Sequence, residues 1–242
     1  KEALTKVKEA NKEAFLLTDK ILYKENLNQL KDFITPLENM IDGISVSNLG
    51  TLQWIKDNFH INIHGDIGLN IFNSYSVAKL KKIGLKSLTL SPELNMKQIG
   101  EICTKDSLDY ETIGYGYLPL MTTKHCPMSL VKGCKDDSNC NTCPFSKGYG
   151  IKDRKGINFY MERRGSVTTI YNSVPLMVLD SLKQIYESGV NMVRLDFTFE
   201  RENIKEIQTI YYDYVKGIVS EKKVMEYLKR YRKKNEITKG HY

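Results

Sequence analysis

GISVSNLGTLQWIKDNFHINIHGDIGLNIFNSYSVAKLKKIGLKSLTLSPEL, residues 43–94, alternates short apolar runs with amphipathic ones, and that alternation decides the fold. Gly43–Ser47 reads as a strand and Leu49–Lys56 as a helix carrying Trp54. Ile61–His64 is the next strand. Tyr75–Ile83 is a helix ended by Gly84, and Ser87–Leu90 a third strand. A helix from Pro92 to Cys103 follows, with Ser91 as its expected N-cap and Pro92 in its first turn. Strand–helix–strand units joined by short connections predict a parallel sheet wrapped by helices. A repeat of roughly 25 residues favours a (β/α) barrel, or a large part of one.

The same rhythm extends outward in both directions. Phe15–Leu17 is a short strand, and Leu27–Ile34 has helical spacing that stops at Pro36. Beyond residue 94, Thr112–Leu120 is extended. Asn158–Arg163 and Val167–Tyr171 form a hairpin or two short strands. Leu176–Ser188 reads as a helix closed by Gly189, Asn191–Phe197 as a buried strand, and Asn203–Lys216 and Lys222–Arg232 as helices. About five βα units can be counted, fewer than the eight of a closed barrel. The expected fold is therefore α/β: a TIM-barrel-like (β/α) domain or partial barrel over residues 1–242, belonging to a longer chain. A cysteine-rich insertion over residues 124–156 interrupts it.

The 242 residues are 41% hydrophobic and 27% charged, an ordinary globular balance. No run of 18 apolar residues and no signal-peptide pattern occurs, so no membrane partner is expected and a cytoplasmic location is the default. The net charge is +7. Much of it lies in KRYRKK, residues 229–234, where Tyr227 and Tyr231 sit among the cations. That interleaving suits phosphate contact and base stacking, and equally a solvated helix end.

Four of the five cysteines, Cys126, Cys134, Cys140 and Cys143, lie in HCPMSLVKGCKDDSNCNTCPF with spacing C-x7-C-x5-C-x2-C. The segment is poor in large apolar residues, so a metal is its natural staple. Four thiolates on one loop can close a shell around Zn²⁺ or an iron–sulfur cluster. Unrelated thiols or two disulfides are the alternatives, the latter disfavoured in a reducing compartment. His125 adjoins the loop as a supporting or alternate ligand, and Cys103 reads as a core thiol.

In a barrel, chemistry sits where strands end at their C-termini. Ser47 and Asn48 follow one predicted strand, His64 and Asp66 another, with Asn70 and Asn73 just after. Ser91 and Glu93 follow the next. Tyr115 lies in the extended run, and Arg194 and Asp196 share a face of the last strand. His64, Asp66, Glu93, Tyr115, Arg194 and Asp196 are thus the candidate pocket. Each could instead be structural: the asparagines as caps or turns, Arg194–Asp196 as a buried pair. No H-E-x-x-H, G-x-S-x-G, phosphate-loop or dinucleotide-binding motif is present.

SNLG (47–50), GLNIFNS (68–74), LSPEL (90–94), the GYGYLPLM and HCP segments between Gly114 and Pro127, YNS (171–173) and VRLDF (193–197) together resemble peptidase family U32, the collagenase-like family. The resemblance runs from about residue 41 to the end. It implies a TIM-barrel-type catalytic domain that is a portion of a larger protein. Some members are named as proteases. Similar ones hydroxylate RNA pyrimidines or serve ubiquinone hydroxylation, and hold a [4Fe-4S] cluster on four cysteines. Many carry a Cys where this chain has Pro119, and some a later one near Met177; here Cys134 would complete the set. Three expectations follow: RNA or ring hydroxylation supported by a cysteine-bound [4Fe-4S] cluster or Zn²⁺, a U32 peptidase, or a zinc-stapled domain that binds RNA or a partner without catalysis.

Overall fold

The computed structural model describes residues 1–103, 107–134, 143, 149–164 and 167–242. The chain divides into two compact units, one of residues 1–113, 183–194 and 241–242, the other of residues 114–182 and 195–240.

The first unit holds the repeat. After α1 (Glu2–Glu9), β1 (Phe15–Leu17), α2 (Lys24–Ile34), β2 (Gly43–Val46), α3 (Leu49–Asn58), β3 (Asn62–Gly65), α4 (Ser74–Ile83), β4 (Ser87–Thr89), α5 (Met96–Ile102) and β5 (Asp109–Gly116) alternate along the chain. β1 to β5 are hydrogen-bonded in sequence order, and each neighbouring pair is parallel. A doubly wound sheet would reverse its strand order midway. Here every crossover advances one strand in the same direction, which is the winding of a (β/α) barrel carried part of the way. β11 (Met192–Asp196) also pairs with β5, and Asn191 locks that junction: its N–H reaches the Tyr110 carbonyl at 3.1 Å, while its side-chain oxygen accepts the Tyr110 N–H at 2.7 Å.

Local chemistry explains the element ends. Asn48 and Asn73, expected as caps or strand-end polar groups, are N-caps, accepting the N–H of Thr51 at 2.7 Å and Ser76 at 2.9 Å. Gly84 ends α4 in the left-handed conformation, φ +106°, which a side chain would resist. The helix expected from Pro92 begins later. Asn95 and Gln98 make a reciprocal capping box and outcompete Ser91, whose Oγ instead accepts the Glu93 N–H within the preceding turn. The expected helix over 176–188 is broken up: β10 (Leu176–Met177), a 3₁₀ turn at Leu179–Ser181 and α7 (Leu182–Glu187) share it. Its first residues are all apolar and are fully buried, so pairing in a sheet satisfies them.

Register assigns the faces of the parallel sheet. Ile44 pairs with Ile63, Val46 with Gly65 and Leu88 with Tyr110. These residues, with Leu52 and Ile55 of α3, are buried apolar core. Each fully buried Ile or Leu contributes about 1.5–3 kcal/mol. Successive side chains alternate, so the opposite face carries Ser45, His64, Ser87, Thr89 and Glu111. One face is oil and the other is polar, although both are largely buried.

The second unit is built on an antiparallel sheet in the order β6 (Pro119–Thr123), β9 (Val167–Tyr171), β8 (Asn158–Arg164), β7 (Tyr149–Lys152). β8 and β9 are the expected hairpin, and the cysteine loop leaves from the end of β6. β10 runs antiparallel to the last residues of β5, Leu176 opposite Gly116 and Met177 opposite Tyr115. α8 (Ile204–Val215) and α9 (Glu221–Arg232) bury Ile207, Tyr211, Val224, Tyr227 and Leu228. No helix among the described residues is long and apolar enough to cross a membrane.

Candidate functional site

The polar face of the first unit carries a continuous chain of hydrogen bonds and ion pairs that links residues in or just past five strands, β2, β3, β4, β5 and β11. Ser47, just past β2, donates from Oγ to Asp66 Oδ2 at 2.8 Å. Asp66, just past β3, takes Arg194 Nη1 on its other oxygen at 2.8 Å. The same Nη1 lies 3.4 Å from Glu111 Oε1. Glu111 accepts from Thr89 Oγ1 at 2.8 Å. Thr89 has one proton and gives it to Glu111, so it accepts from His64 Nε2 at 2.8 Å. His64 Nδ1 then meets Ser87 Oγ at 2.8 Å. With the proton assigned to Nε2 by this network, neutral His64 accepts from Ser87.

Burial makes the arrangement costly and therefore informative. The Asp66 side chain is 8% exposed, Glu111 15% and Arg194 21%. Burial alone would raise the Asp66 pKa. The Arg194 charge and hydrogen bond, the Ser47 hydroxyl and the Ile67 N–H outweigh it and hold that carboxyl below the usual range. At Glu111, burial is likewise overcome, first by His64, whose Nε2 lies 3.5 Å away, and then by Arg194 and Thr89, so its pKa is lowered too. Two buried carboxylates thus share one guanidinium. Such fixed, desolvated charges cost stability and are characteristic of sites that act on a ligand.

The structure brings three sequence candidates, His64, Asp66 and Arg194, into one network. Arg194 pairs with Asp66 across the sheet. Glu93 lies in the turn before α5 and is exposed. Tyr115 and Asp196 belong to the second unit. There Tyr115 is buried, packs its ring 5.3 Å from Phe197 and has the acceptors Tyr231 and Glu200 as electrostatic neighbours. Burial first, then those acceptors, push its pKa far up, so it stays protonated. The Asp196 carbonyl fills the space beside Gly116 (φ +139°), where a Cβ would come within 2.4 Å of it. Sequence reasoning missed Glu111, Thr89 and Ser87. The available signal was their alternation with the apolar Leu88 and Tyr110 along β4 and the start of β5.

Of the cysteine loop, Cys126, Cys134 and Cys143 are described and are free thiols; Cys140 lies outside the described residues. Among the described residues no three His, Cys, Asp or Glu side chains gather closely enough to hold an ion. The donor chemistry of the described part nevertheless suits a thiophilic centre. Cys126 precedes α6 (Pro127–Lys132), and its Sγ lies 3.7 Å from the Tyr149 hydroxyl. Burial opposes ionisation there. Tyr149, the N–H groups of Ser129 and Met128, and the Arg163 charge override it and draw the thiol toward thiolate. Gly133, in the left-handed conformation, turns the chain directly into Cys134.

The basic C-terminal helix is largely committed inward. Tyr227 is core, Tyr231 stacks on it with ring centroids 5.8 Å apart, and Arg230 pairs with Glu206 of α8. The exposed cations Lys229, Arg232, Lys233 and Lys234 remain at its end.

A partial (β/α) barrel with a buried ion network at its strand ends defines an enzyme-like class of domain. The whole chain, residues 1–242, matches the model of peptidase family U32, and the protein belongs to that family. It is 30% identical over 135 residues to tRNA hydroxylation protein P of Haemophilus influenzae, an alignment covering 53% of this chain and 29% of that protein. The chain thus aligns with less than a third of that relative's length. The solved structure of the U32 peptidase Mk0906 matches with a TM-score of 0.41 at 12% identity, covering 48% of this chain and 51% of that one.

Proposed function

We propose that this chain is an enzyme domain of the U32 family acting in the hydroxylation of RNA, with a nucleobase ring as the group that is modified. The observation that carries the reading is the kinship with tRNA hydroxylation protein P. The Ser47–Asp66–Arg194–Glu111–Thr89–His64 chain supports it by presenting fixed, desolvated charges on the polar face of the parallel sheet. In this reading Arg194 orients the ring and its substituents by hydrogen bonds, Asp66 and Glu111 fix its guanidinium in place, and His64, engaged by Ser87 and Thr89, holds Thr89 toward Glu111. Cys126, Cys134, Cys140 and Cys143 would hold a [4Fe-4S] cluster or Zn²⁺. A cluster, when bound, supplies one-electron transfer, whereas zinc would only staple the loop.

The peptidase reading is weaker on physical grounds. His64 does meet a serine, but Ser87 is buried at the first position of β4, where a peptide carbonyl has no approach. The test compares transfer RNA from cells with and without the gene by nucleoside mass spectrometry. A pyrimidine nucleoside heavier by one oxygen should vanish on deletion. The full-length gene should restore it, and an Asp66→Asn version should not. An unchanged nucleoside profile, together with peptide cleavage by the purified full-length protein, would overturn the proposal.

A further inference from the structure

The antiparallel sheet of the second unit has two faces with different chemistry. Tyr149 pairs with Met161 and Met161 with Ile170, so these share the face that carries Cys126. Tyr160, Glu162, Thr169 and Tyr171 are on the other. On that second face four aromatic rings from separate stretches of chain converge. Tyr160 and Phe199 are stacked, centroids 5.0 Å apart and planes 22° apart. Tyr117 stands edge-on to both, at 5.1 and 5.6 Å, and Tyr171 edge-on to Phe199 at 5.0 Å.

A core cluster would be sealed, as Tyr110 and Tyr115 are at 1% exposure. This one is open: Tyr160 is 40% exposed, and its cross-strand neighbour Gly150 has no side chain to cover it. The face is also ringed by positive charge. Lys152 lies on it beside Tyr160, Arg164 two residues beyond Glu162, and Arg201 two residues after Phe199, all three exposed. The carboxylates near the cluster are engaged within it: Glu162 by the Tyr171 hydroxyl at 3.0 Å and by Arg164 at 3.1 Å, and Glu200, which with Asp196 also acts on these tyrosines, by the N–H groups of Thr198 and Phe199 at 2.8 and 3.0 Å.

We infer that the Tyr117–Tyr160–Tyr171–Phe199 cluster is a stacking platform for an unpaired base of single-stranded RNA, with Lys152, Arg164 and Arg201 meeting its phosphates. An exposed ring backed by three half-buried ones on an antiparallel sheet, with cations at the rim, matches how single strands are held: a flat base stacks on any π-face, and the backbone follows the charge. An uncharged protein partner would offer nothing to the exposed Lys152 and Arg201, on a chain whose net charge is +7. The inference rests on the reading of the substrate as RNA and adds to it where a base is gripped, on the sheet face opposite Cys126.

The experiment uses the purified full-length protein and fluorescence anisotropy with two probes. One is a fluorescein-labelled oligouridylate; the other is an abasic strand with the same phosphates. The wild type should bind the oligouridylate more tightly. Tyr160→Ala should weaken that binding roughly 5- to 150-fold, the worth of one stacked base, while leaving the abasic strand unchanged. Tyr160→Phe keeps the ring and should bind as wild type. Tyr160→Leu keeps the apolar packing and should bind as Ala, which separates stacking from fold. Equal affinity for the two strands, no binding to either, or a Tyr160→Leu protein as tight as wild type would overturn the platform. Gene-dependent RNA hydroxylation with any of those results leaves the functional reading standing and removes the platform. Base-dependent binding lost in Tyr160→Leu, with no gene-dependent nucleoside, does the reverse.

Discussion

Replacing Arg194 with Ala removes the cation that two buried carboxylates share. Its Nη1 lies 2.8 Å from Asp66 and 3.4 Å from Glu111, and those side chains are only 8% and 15% exposed. Breaking a buried pair by deleting one partner costs about 3–5 kcal/mol, a large part of a domain stability of about 5–15 kcal/mol. Trp54, the sole tryptophan, sits on α3 in the same unit and reports its unfolding. With a urea m-value of about 2 kcal/mol/M, the fluorescence midpoint should fall by about 2 M at pH 7. The deficit should also depend on pH, with a definite sign. In the wild type both carboxyl pKa values are depressed, so their contribution is present above about pH 4 and is lost as pH falls through the lower folded values. Without Arg194, burial is left to raise the Asp66 and Glu111 values. The variant's deficit is then full at pH 7 and shrinks as pH approaches about 4. A deficit below about 1 kcal/mol, or one equal at pH 7 and about pH 4.5, would refute the shared-cation account.

Three further outcomes are expected. Gly68→Ala should destabilise the first unit by about 1–3 kcal/mol or more, because the new Cβ would lie 2.3 Å from the Ser47 carbonyl oxygen and displace the residue that holds Asp66; urea unfolding followed by Trp54 measures it. Asn95→Ala removes the side-chain oxygen that accepts the Gln98 N–H in the α5 capping box, while leaving the backbone N–H that Gln98 accepts, and should cost about 1 kcal/mol in the same assay, a loss that Asn95→Asp largely restores. Elemental analysis of anaerobically purified full-length protein should find zinc or iron, and Cys143→Ser should lose it and become protease-sensitive between residues 124 and 156; metal-free protein, or a variant that melts and digests as wild type, counts against a metal-stapled loop.

The βα repeat was legible because its signals are local. Alternating apolar runs, Asn48 and Asn73 before helices and Gly84 after one each act within a few residues, and the parallel order follows from their rhythm. The capping competition at Ser91 against Asn95 was less legible, since both residues have N-cap chemistry and only the reciprocal Gln98 bond decides between them. The site was half legible. His64, Asp66 and Arg194 stand out as polar groups at predicted strand ends, and so does Glu93, which the turn before α5 leaves exposed. Whether such residues meet is set by strand register, which no local pattern encodes. Register places His64 opposite Ser87 and Thr89 opposite Glu111, and the pairing of β11 with β5 brings Arg194, 128 residues along the chain, onto Asp66. The sequence alone determined the repeating units and the residue types available for chemistry; tertiary structure chose which of them share a proton or a charge, because burial and distance belong to the folded sheet rather than to any segment of it.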